Sequence, residues 1–290
     1  MRTSNFLVAA AVAASGLAVT MSAGAVTTTR VAEPKALPTL RHCQTQVRSL
    51  THQSGVLTVA TDNPVYPPWF EKNNPSNGKG YESAVTYAIA SLLGFSHKKV
   101  AWAYEPFSSS YSPGPKSFDF DINEISWTAQ RAQVVTFSIG YYNVTQSLVT
   151  IKGNPIIAKH TPSQLRTYQY GDQKGTTGLA YIFKYIKPTK QPLVFPTLQI
   201  AVQRLQNRGY DGLVVDTPDG QYMAAYQLKN GVQLAQFPST GEHYSLLFQK
   251  GNKLVGCVNA AISHLNHDGQ LAALQKKWLG IFNRIPTIKP

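Results

Sequence analysis

Few side chains in this sequence stand where their chemistry could be put to use, and most of them lie in or near "FDFDINEISWTAQRAQVVTFSIGYY". There a single arginine, Arg131, follows two hydroxyls, Ser126 and Thr128, at the entry to an apolar run. A guanidinium fork flanked by hydroxyls can clamp a carboxylate through parallel hydrogen bonds. The same arginine on a turn can equally face water, and the stretch alone leaves both readings open. Glu124, two residues before Ser126, and Asp62, after an apolar strand, are the carboxyls that could serve as acid or base or meet a cation. Asp216 of "GLVVDTP" is by itself a turn or cap former, and "KGTTG", with Thr176 and Thr177, is by itself a turn and helix N-cap. His264 and His267 share a terminal helix and read as solvated rather than as a metal pair. No Ser-His-Asp arrangement stands out among seven scattered histidines, so no catalytic residue, metal or cofactor is expected.

Alternating elements must position these groups. "GVLTVATDNPVYPPWF" begins as a strand and is stopped by Asn-Pro and Pro-Pro. "YESAVTYAIASLLGF" places Val85, Ile89, Leu92 and Leu93 at helical spacing and ends at Gly94. "KVAWAYEP" and "FDFDINEIS" are the next strands. A second cycle follows through "TYQYGDQKGTTGLAYIFKYI" and "IAVQRLQNRGYDGLVVDTPDGQYMAAYQL", and two helices around "HDG" close the chain. This pattern predicts an α/β protein of two lobes, with binding surfaces beyond the carboxyl ends of strands. The first lobe is expected over 55–148 and the second over 149–243, with a return to the first over 244–290. "SLVTIKG" and "YSLLFQK" are the expected crossings between them.

The 290 residues suffice for two such lobes. Residues 1–25 read as a secretory signal peptide: Arg2, an apolar stretch, then the small-x-small "AGA". Residues 26–54 form a polar leader with a short helix around Cys43. "LRHC" lacks the apolar and small residues that lipid attachment needs, so export without a lipid anchor is expected. In an oxidising compartment the two cysteines, Cys43 and Cys257, are expected to form one disulfide. The net charge of +13 is scattered, without a Lys/Arg block, and argues a solvated cationic surface rather than nucleic-acid binding.

From Gly55 to Leu279 the chain resembles the bacterial extracellular solute-binding proteins of family 3, the polar amino-acid type. The resemblance rests on six stretches in order: "GVLTVATDNPVYPPWF", "GKGYESAVTYAIASLLGF", "FDFDINEISWTAQRAQVVTFSIGYY", "KGTTG", "YDGLVVDTP" and "KGNKL…DGQLAALQKKWL". It implies the two-lobe periplasmic-binding-protein fold (type II), two hinge strands and a free L-amino acid in the interlobe cleft. Arg131 then corresponds to the ligand α-carboxylate arginine, with Ser126 and Thr128 as neighbouring donors. Thr176 and Thr177 offer donors at a helix start, and Asp216 accepts the ligand ammonium. Asp62, Tyr66, Phe107 and Glu124 are implied at the side-chain end, which predicts a polar or cationic ligand. "SWTAQR", "GTTG" and "TFSIGYY" depart from the usual family pattern at Trp127, Gln130, Gly178, Thr136 and Ile139 but leave Arg131 and Asp216 in place. The resemblance further implies a monomer in the periplasm, serving the permease of an ABC transporter. A cyclohexadienyl dehydratase-like enzyme and an amino-acid sensor ectodomain are the alternatives on the same fold.

Overall fold

The computed structural model describes residues 36–159, 161–280 and 285–288. The expected signal peptide and the leader as far as residue 35 lie outside the described residues. Helix α1 (Leu40–Leu50) is capped by Thr39, whose hydroxyl accepts the amide of His42, and it buries Cys43 and Val47 one turn apart. β1 (Leu57–Thr61) pairs in parallel with strands on both sides and is buried except at Thr58, as a strand inside a parallel stretch of sheet is. α2 (Tyr81–Leu92) starts at Gly80, where φ is +96° and a Cβ would lie 2.3 Å from the Trp69 carbonyl oxygen, so only glycine fits. β2 (Val100–Tyr104), α3 (Phe107–Ser110), β3 (Phe120–Asp121), α4 (Ala129–Ala132) and β4 (Val135–Asn143) complete the first pass through lobe 1.

The chain changes sheets at Val144 and Thr145. β5 (Gln146–Ile151), α5 (Pro162–Leu165), β6 (Gly171–Gln173), α6 (Thr177–Tyr181), β7 (Leu193–Phe195), α7 (Leu198–Gln206), β8 (Leu213–Asp216), α8 (Thr217–Tyr222) and β9 (Gly231–Gln236) follow in lobe 2. β10 (His243–Gln249), α9 (Val255–His267) and α10 (Gln270–Leu279) return to lobe 1. The first sheet runs β2-β1-β3-β10-β4, with β10 antiparallel to both neighbours. The second runs β8-β5-β9, all antiparallel, and the Tyr170–Gly212 bridge leads from it to the parallel pair β6-β7. Each lobe has its own core: Trp69, Phe70, Ile89, Phe120 and Phe248 in the first, and Leu148, Tyr170 and Val214 in the second.

Two details differ from the sequence reading. Neither "SLVTIKG" nor "YSLLFQK" is itself a crossing; they lie inside the second and the first sheet, and each crossing precedes its strand. The Val144 amide there donates to the carbonyl of Glu242 on the returning segment (3.1 Å), so the two crossings lie side by side. The chain end also differs, since Thr287 bridges Gln236 of β9 and Ile288 is buried in the lobe 2 core rather than with the C-terminal helices.

Cys43 of α1 and Cys257 of α9 are joined by a disulfide, with 5.5 Å between their Cα atoms across a separation of 214 residues. It ties the leader helix to the returning part of lobe 1. Closing so long a loop stabilises by roughly 3–5 kcal/mol in the chain-entropy picture. Peptide mapping without reductant should find the linked pair. Its reduction should lower the melting temperature by roughly 10 °C, at about 2–4 °C per kcal/mol for a chain of this size.

Candidate functional site

The carboxyl ends of β1 and β3 and the amino ends of α6 and α8 converge on one cleft between the lobes, a cavity of about 290 Å³. Nine of the ten side chains expected at the ligand line it: Asp62, Tyr66, Phe107, Glu124, Ser126, Arg131, Thr176, Thr177 and Asp216. Thr128 does not. Its hydroxyl caps α4, accepting the amide of Arg131 at 3.1 Å, and so fixes the backbone from which the arginine projects.

Arg131 is buried. Its Nη1 donates to the Ser126 carbonyl (2.7 Å) and its Nη2 crosses the cleft to the Gly175 carbonyl (2.9 Å). The guanidinium lies over the rings of Tyr111 and Phe107, 4.6 and 5.4 Å from their centroids. Burial pulls its pKa down from the usual arginine range, opposed by Tyr111, Glu242 and Asp216. The ion pairs among the described residues are the surface contacts of His264 and His267 with Asp268, so no carboxylate reaches this guanidinium. A fork of five N–H donors with two carbonyl partners has donors left for an anion.

Asp216, at the start of α8, makes no helix-cap bond. It accepts instead from Gln146 and from the Tyr244 hydroxyl (2.5 Å). Burial raises its pKa, reinforced by Glu242 and Asp219. Ser126 is held by Glu242 (2.6 Å), which also accepts from Gln146 (3.0 Å). In "KGTTG", Thr176 caps α6 through the amide of Leu179 (3.1 Å), and Thr177 accepts from Gln146 (3.3 Å). Gly178, a departure from the family pattern, is required sterically, since a Cβ there would sit 2.0 Å from the Val214 carbonyl oxygen.

Asp62 is partly buried. Its carboxylate accepts the Asn63 amide (2.7 Å), and burial raises its pKa. Glu124 carries an unusual backbone, with φ of +53° just after β3. Its amide donates to the buried carboxyl of Glu82 (2.7 Å), which also receives the Tyr141 hydroxyl. The Glu124 side chain hydrogen-bonds the carboxyl of Asp219 across the cleft, and Asp219 accepts from the Trp69 indole (2.5 Å). Two carboxyls in contact cannot both ionise, so the pair holds a proton. Burial raises both groups, Glu124 well above the usual range. Burial likewise lifts Glu82 to about 8.

Gln146, Asp219 and Glu242 carry much of this geometry and were not singled out from the sequence. Asp219 had a local signal, lying three residues after Asp216 on the first turn of a helix and hence on the same face. Gln146 opens β5 and Glu242 immediately precedes β10, and both meet the cleft only through the tertiary fold.

The chain belongs to the bacterial extracellular solute-binding proteins, family 3, whose profile matches residues 57–281. It is 23% identical over 224 residues to a probable histidine-binding protein of Neisseria gonorrhoeae, covering 74% of this chain and 80% of that one. It is 29% identical over 216 residues to the ABC transporter glutamine-binding protein GlnH of Bacillus subtilis (strain 168), covering 72% and 77%. Among solved structures, a mutant of ArgBP from T. maritima superposes with a TM-score of 0.65 at 23% identity, over 82% of this chain and 99% of that one. The ancestral amino acid-binding protein AncCDT-1, a precursor of cyclohexadienyl dehydratase, superposes with a TM-score of 0.63 at 23% identity, over 82% and 98%. These superpositions confirm the two-lobe fold.

The raised carboxyls set a pH dependence. A carboxyl that keeps its proton when folded but loses it when unfolded makes the folded state the better proton binder, so stability falls as pH rises. For Glu82 the window runs from the ordinary 4.5 to about 8. The melting temperature of the ligand-free protein should therefore fall between pH 5 and pH 8, and Glu82→Gln should flatten that slope. A wild-type melting temperature that climbs across the same window contradicts the assignment.

Proposed function

We propose that the protein captures a free L-amino acid with a polar or cationic side chain and presents it to the permease of an ABC transporter. The observation that carries this reading is Arg131, a buried guanidinium without a carboxylate partner, in one cavity with the acceptor Asp216. The two match the ends of a zwitterion. A ligand carboxylate would give Arg131 the counter-charge that the protein does not supply, through charge-assisted hydrogen bonds. A ligand ammonium would dock on the free lone pairs of Asp216 while Gln146 and Tyr244 hold the carboxylate still. Asp62, Glu124 and Asp219, which line the same cleft, favour a cation or an amide, because a carboxylate facing an aliphatic chain would stay desolvated and unpaired. The relatives named above for histidine and glutamine support a polar ligand. In this reading the protein works as an exported monomer. No helix of the described residues is long and apolar enough to cross a membrane.

One observation favours a second reading. The protonated Glu124–Asp219 pair in the cleft is a general acid in waiting, and AncCDT-1 links this fold to a dehydratase. Incubating the purified protein with prephenate or arogenate tests it: turnover moves the protein to the enzymes, and binding without turnover keeps it with the transport proteins.

A thermal-shift screen of the twenty amino acids should find stabilisation by arginine, lysine, histidine or glutamine ahead of leucine and glutamate, because a ligand of the native state alone raises its melting temperature. Removing one partner of a desolvated charge pair costs about 2–5 kcal/mol. Arg131→Ala should therefore lose roughly thirty-fold to several thousand-fold in affinity by calorimetry, with its circular dichroism unchanged. Near-normal affinity in that variant overturns the clamp.

A further inference from the structure

The cleft does not end at the Glu124–Asp219 pair. Behind it lies a second chamber of about 310 Å³, and the two cavities share Tyr66, Glu124, Leu198, Gln199 and Asp219 as a common wall. The second chamber is of different character. Its remaining walls are Pro67, Val202, Met223 and Tyr222, with Gln203 and Gln227 among them. The Tyr66 and Tyr222 rings, one from each lobe, stand 6.4 Å apart at 41° and frame it.

We propose that the Glu124–Asp219 pair and the chamber behind it form a second subsite, which takes the distal end of an L-amino acid whose long cationic side chain carries an alkyl substituent. This rests on the amino-acid reading above and narrows its ligand class. The pair faces a ring of negative or neutral groups: Glu82 behind Glu124, Asp216 on the same helix as Asp219, and Tyr141, Tyr244 and Trp69 around them. Among the residues lining both chambers Arg131 is the sole basic one, and it belongs to the carboxylate end. A guanidinium or ammonium arriving between the two carboxyls would take the place of their shared proton and satisfy both with charge-assisted hydrogen bonds. A substituent beyond that cation would enter a space whose walls include Pro67, Leu198, Val202, Met223 and the rings of Tyr66 and Tyr222, where apolar burial and cation–π attraction both favour an N-alkyl group.

The test is titration calorimetry of the purified protein with L-arginine and with Nω-propyl-L-arginine. The propyl compound should bind at least as tightly as arginine. Tyr222→Ala should shift the ratio of the two affinities against the propyl compound by roughly tenfold, and Asp219→Asn should reduce the preference for arginine over glutamine by a similar factor. Arginine binding with tenfold or greater discrimination against the propyl compound overturns the second subsite and leaves the amino-acid reading intact. An unchanged affinity ratio in Tyr222→Ala also overturns it. Binding of neither compound overturns the second subsite alone; the amino-acid reading falls only if none of the twenty amino acids stabilises the protein in the thermal-shift screen.

Discussion

A guanidinium withdrawn from water without a carboxylate to meet it is the constraint around which the cleft is arranged. The desolvation of such an ion costs several kcal/mol unless counter-charge and hydrogen bonds offset it. Arg131 has two carbonyls, one from each lobe, two aromatic faces, and the longer-range fields of Glu242 and Asp216. The carbonyl from lobe 2 matters most for mechanism, because it makes the approach of the lobes part of the arginine's solvation. An amino-acid carboxylate would complete that shell, and so would bind best where the lobes are together. Ligand capture and closure then become one event rather than two.

The charge of the cleft is opposite to that of the chain. The protein carries +13, yet the cavity is lined by Asp62, Glu124, Asp172, Asp216 and Asp219 against the single cation Arg131. Scattered surface charges are screened within about 8 Å at physiological salt, so the local acids decide what enters. Left as carboxylates these groups would repel one another across the closing cleft. Burial raises the pKa of all five, so that taking up protons relieves the repulsion. The strained backbone of Glu124 is kept in place by its amide bond to Glu82, which aims one carboxyl at the other lobe. Such strain persists where the surroundings over-determine it, and here they do so at the site.

Much of the fold was legible because each strand and helix announces itself locally. The alternation in "GVLTVATD", the spacing of Val85 and Ile89 and the stop at Gly94 all reappear as β1, α2 and its left-handed end. Sheet membership was less legible. The strand Gln146–Ile151 is buried throughout, and a strand buried on both faces carries no periodic mark of which sheet it joins. The bridge at Thr287 involves too few residues for any periodicity. At the site, the resemblance pointed to Arg131 and Asp216, while Thr128 shows that a hydroxyl beside an arginine can serve the backbone instead. Gln146 and Glu242 were not legible, because a polar residue at the start of a strand looks like any strand-end or loop residue until two lobes fold over it.

The most direct measurement of the central claim is a crystal structure of the protein soaked with L-arginine. The account predicts the ligand carboxylate within hydrogen-bond distance of Arg131, its ammonium on Asp216 and its guanidinium between Glu124 and Asp219. A ligand bound the other way round, with its side chain at Arg131, or one bound outside the cleft, would contradict it.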